Sequence, residues 1–204
     1  MEIERQVFND DRLGEVINDA LSFISRSDLY PLPLPSDFSG AGVYLLYYNG
    51  NHEVYGQIRG LKVNNQSMPI YVGKAVPPGW RQGRNSSQAS KVLYSRIKEH
   101  TRSIEAGADL NLNDFNCKFI ILRAKMSNLI GTLESELINQ FRPIWNSCID
   151  GFGNHDPGRG RAQQARSEWD TLHPGRYWAD KLANNKLSTE DILQKGRRYF
   201  NAEG

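Results

Sequence analysis

The chain has 204 residues, 39% hydrophobic and 24% charged, with a formal net charge of +2. This is ordinary globular composition at a length suited to one domain with appendages, and no run of eighteen apolar residues is present to form a membrane-spanning helix. Cys117 and Cys148 belong to no C-x-x-C or His/Cys grouping, which argues against a zinc site or disulfide and for reduced thiols in a cytoplasmic protein. The acidic start, MEIERQVFNDDR, is likewise unlike a secretory or organellar signal.

In chain order, residues 11–26 place Leu13, Val16, Ile17, Leu21, Phe23 and Ile24 broadly at helical period, predicting an amphipathic helix. The stretch PLPLPSDFSGAG breaks regular structure and reads as a stiff connector, so residues 1–39 form an N-terminal helix and linker. GVYLLYY at 42–48 is a strand, and PIYVGKA at 69–75 supplies a returning strand over 69–74. Between them, residues 49–68 are polar and rich in turn signals, with Asn49-Gly50 the candidate hairpin turn. Residues 76–89 are a basic Gly/Pro/Ser loop; a helix follows from Ser90 to about Ala106, with Gly107 at its end. Residues 115–124 are predicted as a strand and 128–141 as a helix, with Pro143 just beyond.

That order predicts an α+β fold with a small, mostly antiparallel, three-stranded sheet flanked by helices. Residues 40–148 make the core, with 49–68 inserted. Residues 149–204, Gly/Arg-rich and closed by a helix around Thr189–Phe200, form an appendage packed on it within a single domain.

Charge is unevenly spread. Residues 1–20 carry six acids against Arg5 and Arg12, and residues 81–102 carry six bases against Glu99. Arg159, Arg161 and Arg166 form a second basic run. Such patches on a near-neutral chain suit a surface facing a polyanion, or simply a solvated helix face.

Within the basic helix, Arg96 and His100 are four apart and share a helical face. By itself this describes an ordinary surface pair. Glu134 stands beside Leu133, Leu137 and Ile138, near the apolar stripe of its helix. A carboxylate there needs a cation or donors to meet it, so it is either a salt-bridged stripe-edge residue or a ligand for a hard divalent ion. Asn146, twelve residues on, reads as a loop cap or a site residue. His155 and Asp156 suggest a turn before Pro157 rather than a metal site, and His52 and His173 read as surface residues.

Taken in order, Gly42-Val43-Tyr44, Tyr71-Val72-Gly73-Lys74, the Arg96/His100 pair, Glu134 and Asn146 resemble the GIY-YIG nuclease superfamily. The flanks GAGVY, IYVGKAVPPGWRQ, DGFGNH and HPGR resemble its small type II restriction endonucleases. One departure is the distance of 27 residues from Tyr44 to Tyr71, where the family has a short loop. An insertion of that size calls for a task, here a dimer contact or a DNA-facing arm.

The resemblance implies hydrolysis of double-stranded DNA at a GC-rich palindrome such as CCGCGG by a symmetric homodimer, with no organic cofactor. Glu134 as sole acidic ligand implies one Mg²⁺, or Mn²⁺ in its place. Tyr44 becomes the general base, its pKa lowered or its proton accepted by His100 or Lys74. Tyr71 would orient water or phosphate, and Arg96 would grip the scissile phosphate. Asn146 would position the Glu134 helix end or the leaving-group side. Arg81, Arg84, Arg159, Arg161 and Arg166 are the candidates for contacting DNA. The alternatives are a structure-specific repair or homing nuclease, and a DNA-binding module of the same fold that has lost its chemistry.

Overall fold

Strand β2, Gly42–Tyr48, is apolar and buried at nearly every position, the pattern of a strand covered on both faces. A computed structural model describes residues 3–8, 12–80, 90–158 and 163–201. In it β2 lies inside an antiparallel sheet of order β1-β6-β2-β5, formed with β1 (Tyr30–Pro31), β5 (Tyr71–Ala75) and β6 (Phe115–Ile121). Register sets Tyr44 opposite Gly73 on one side and Phe119 on the other.

Alternation along the strands divides the core in two. Tyr44, Leu46 and Tyr48 pack with Leu93, Ile97 and Ile104 of α2 (Val92–Ala106), and with Phe152, Trp169 and Ile192 from the C-terminal part. Val43, Leu45 and Val72 pack on the opposite face. There they meet Ile24 of α1 (Arg12–Arg26) and Ile130, Leu133, Leu137 and Phe141 of α3 (Ile130–Phe141). Helix α3 ends with Arg142 in the left-handed region, φ 44°, before Pro143.

Three features depart from the sequence expectation. The sheet gains a fourth strand, because Tyr30 and Pro31, where the connector begins, pair to Cys117 and Asn116. The hairpin turn is not Asn49-Gly50: the Asn49 amide donates to the Asp114 carbonyl at 2.8 Å, holding that segment beside the end of β6. The tight turn lies instead at Asn64-Asn65, both at positive φ, between the two-residue strands β3 (Lys62–Val63) and β4 (Gln66–Ser67). Finally, the insertion is anchored in the core while residues 59–62, 64, 65 and 67 stay exposed. Its Val54, Tyr55, Ile58 and Met68 are buried in the α2-side core.

After α3, short helices α4 (Ile144–Ser147) and α5 (Glu168–Leu172) precede α6 (Thr189–Asn201).

Candidate active site

Tyr44 is fully buried, with its hydroxyl 2.5 Å from His100 Nε2. The Tyr71 ring lies 6.2 Å from that of Tyr44 and 5.2 Å from that of His100, centroid to centroid. Gly73 makes this approach possible: a Cβ there would fall 2.4 Å from the Tyr44 hydroxyl and 2.8 Å from the Tyr71 ring. The paired glycine and tyrosine of β5 and β2 are thus one device, a missing side chain that makes room for two phenols.

Burial, with Tyr71 beside it, pushes the Tyr44 pKa well above its ordinary value; Arg96 pulls the other way without offsetting this. Burial and then the positive charge of Arg96 push His100 well below the usual histidine value. Both are therefore neutral at pH 7. The expected depression of the Tyr44 pKa by cationic neighbours does not hold here, because desolvation outweighs Arg96 and Lys74 is engaged elsewhere. His100 is a buried partner of Tyr44, not the surface residue that its spacing alone suggested.

Arg96 is largely covered, its side chain 18% exposed. Nη2 donates to the Gly153 carbonyl at 2.7 Å, while Nη1 reaches Glu99 Oε2 and His155 Nε2, each at 2.8 Å. With Glu99 and His155 it lines a pocket of about 340 Å³ between α2 and residues 152–156 and 175–178.

Lys74 pairs opposite Val43, on the α3 face of the sheet, where its Nζ is ion-paired with Glu134 Oε2. Glu134 keeps 17% of its side chain exposed, whereas Glu136 faces solvent. β5 is the sheet's edge, so the two half-sites adjoin around one strand. Tyr71 links them. Burial raises its pKa, Arg96 lowers it, and the Glu134 charge raises it further.

Asn146 acts on the same strand. Its Oδ1 accepts from the Val72 amide and its Nδ2 donates to the Val72 carbonyl, both at 2.8 Å. The amide thus substitutes for a neighbouring strand on the free edge of β5, between Tyr71 and Gly73, instead of holding the end of the Glu134 helix.

The Arg166 guanidinium donates to the Ala179 carbonyl at 3.3 Å and lies 3.8 Å from Asp180, bracing the C-terminal segment. Arg81, Arg84, Arg159 and Arg161 lie outside the described residues.

Sequence reasoning missed Phe152, Gly153, His155 and Arg176. Phe152 stacks on His100, with centroids 4.4 Å apart and planes at 19°, and meets Tyr71 edge-on at 4.9 Å. These residues lie in DGFGNH and HPGR, strings noticed for their likeness to other proteins, with His155 otherwise read only as part of a turn. No periodicity links them to α2.

Another cluster was also unforeseen. His52, Asp109 and His173 bring three ligand-type atoms within 4.8 Å of one another. The Val54 amide donates to His52 Nδ1 at 3.2 Å, so that ring's proton sits on Nε2, facing Asp109 at 3.3 Å. His173 spans Asp109 and the Tyr55 hydroxyl at 2.7 Å each. A neutral imidazole ligand carries its N–H on the side away from the ion, the reverse of His52. Partial burial works to raise the Asp109 pKa, but hydrogen bonds from His173 and His52 hold it well below the carboxylate range. The cluster is a hydrogen-bonded bridge between insertion, α2 turn and C-terminal segment.

The profile of the Eco29kI GIY-YIG domain matches residues 36–200, and the chain belongs to that family of type II restriction endonucleases. The family implies a DNA substrate. No curated protein matches the chain significantly by sequence.

Proposed function

We propose that this protein cleaves duplex DNA at a GC-rich palindrome, with CCGCGG the first sequence to test, using one divalent ion on Glu134. The observation that carries this reading is the Tyr44–His100 contact beside the Arg96 guanidinium, next to the strand whose Lys74 holds Glu134.

Glu134 suits such an ion. It offers one hard, partly exposed carboxylate, and Mg²⁺ accepts a single protein ligand while keeping waters and substrate oxygens. When bound, Mg²⁺ or Mn²⁺ supplies Lewis-acid stabilisation of the phosphate and a more acidic water. Lys74 must then release Oε2.

The remaining work falls to this chain's side chains. Arg96 exchanges Glu99 and His155 for the scissile phosphate, which its planar fork fits. Tyr44 takes a proton from the attacking water while its own passes to His100 Nε2, the neutral acceptor already in contact. Their resting pKa values keep this relay uncharged until substrate arrives. Tyr71 orients water or phosphate, and Asn146 holds the strand that carries it.

A palindromic site matches a two-fold symmetric dimer. Leu13, Val16 and Phe23 are exposed on α1 beside exposed Leu29, offering that dimer an apolar surface. Plasmid digestion tests the reading. Discrete fragments in Mg²⁺, none in EDTA and none from Glu134→Ala are expected, whereas binding without cutting in Mg²⁺ would defeat it.

A further inference from the structure

Residues His173 to Arg176 are fixed to the C-terminal end of α2. The Ala108 amide donates to the Pro174 carbonyl at 3.1 Å. Gly175, at φ +138°, lies so close that a Cβ would fall 1.8 Å from the Ala106 carbonyl oxygen. His173 adds its 2.7 Å contact with Asp109. From this base Arg176 turns inward and is only 5% exposed.

Its guanidinium lies against two indoles, 4.5 Å from the Trp169 ring centroid and 4.6 Å from that of Trp178. Nε donates to Asp170 Oδ1 at 2.5 Å. Nη1 donates to the carbonyls of Phe152 at 3.1 Å and Asn154 at 3.3 Å, and Nη2 to that of Gly151 at 2.9 Å. Three carbonyls of one four-residue stretch therefore end on a single rigid fork, a geometry that an ammonium cannot reproduce.

That stretch is the wall of the site. Gly153, between the pinned carbonyls, accepts from Arg96 Nη2, and Phe152 covers the faces and edges of His100 and Tyr71. We propose that Arg176 is a positioning residue for DNA cleavage: by pinning residues 151–154 it aims Arg96 and keeps water from His100. The inference rests on the nuclease reading above. A bare buried ion pair with Asp170 would give little net stability, whereas the carbonyl contacts give this arginine a task at the site.

The test uses full-length Arg176→Lys and a DNA fragment that the wild-type protein cuts. The variant should keep its circular dichroism spectrum and bind DNA within about twofold in EDTA. Its single-turnover rate should fall by roughly 30- to 100-fold, the scale of a small misplacement of reacting groups. The His100 ring, followed by NMR, should titrate at higher pH than in the wild type as water reaches it. A general loss of stability would not move that midpoint in a folded sample. A rate within about threefold of wild type, or a slow variant whose His100 midpoint is unmoved, overturns the proposal. Should Arg176→Lys fail to fold, Asp170→Asn, which weakens the same pin by one contact, is judged by the same two measurements. Glu134→Ala is run alongside. Cleavage by that variant overturns the placing of the ion on Glu134, and a wild-type protein that binds DNA in Mg²⁺ without cutting it overturns the nuclease reading itself, whereas an inactive Glu134→Ala with a fully active Arg176→Lys overturns only the positioning role.

Discussion

The two halves of the site are built to different standards of closure. Around Tyr44 the proton-relay groups are dry: Tyr44, His100 and Phe152 are each at most 2% exposed, with hydroxyl and imidazole already in contact. Around Glu134 the site is wet. Lys74 and Glu134 keep 38% and 17% of their side chains exposed and neutralise each other. A proton relay gains from low dielectric and fixed geometry, whereas a metal ligand must stay reachable by a hydrated ion. Putting them on opposite faces of one sheet, on either side of its edge strand β5, satisfies both needs.

Glu134→Ala breaks the wet half outright. Cleavage should fall by about 10³-fold or more while DNA binding in EDTA persists, as measured by digestion and filter binding. Tyr44→Phe breaks the dry half. Its single-turnover rate should drop by about 10²- to 10⁴-fold, the range for a lost general base, with divalent affinity unchanged by calorimetry. It should also cost about 1–3 kcal/mol of stability by denaturant unfolding, because His100 Nε2 loses its buried partner.

Titration sharpens the contrast. Burial lowers the pKa of both His100 and His173, so the unfolded chain binds more protons than the folded one below about pH 6.5. Stability should be fully present above that pH and be lost as pH falls from there toward the folded pKa values. Thermal melts between pH 7.5 and 5 should show the decline, and a flat Tm would contradict the buried, neutral assignment. The smallest effect belongs to Lys74→Met, which frees Glu134 from its ion pair. Divalent affinity without DNA should rise a few-fold, on the scale of about 1 kcal/mol for a partly exposed pair.

Much of this was legible in the sequence. β2 and α3 announced themselves because a continuous apolar run and a 3.6-residue stripe reflect burial directly. Glu134 was noticeable as a carboxylate beside that stripe. Burial of His100 was not, since spacing on a helix gives a face but not what the face meets. Asn49-Gly50 misled because turn propensity is local, while the Asp114 carbonyl that holds Asn49 is 65 positions away. Arg176 was invisible for a similar reason. Only tertiary structure distinguishes an arginine pinned on three carbonyls from one in water.

The most direct test is a crystal structure of the complex with cognate DNA and Ca²⁺, which favours binding over cutting. The account predicts the scissile phosphate on Arg96, with the Tyr44 hydroxyl beside it and the ion on Glu134, now parted from Lys74. An ion held at His52, Asp109 and His173, with Glu134 still paired to Lys74 and the phosphate remote from Tyr44, would contradict it.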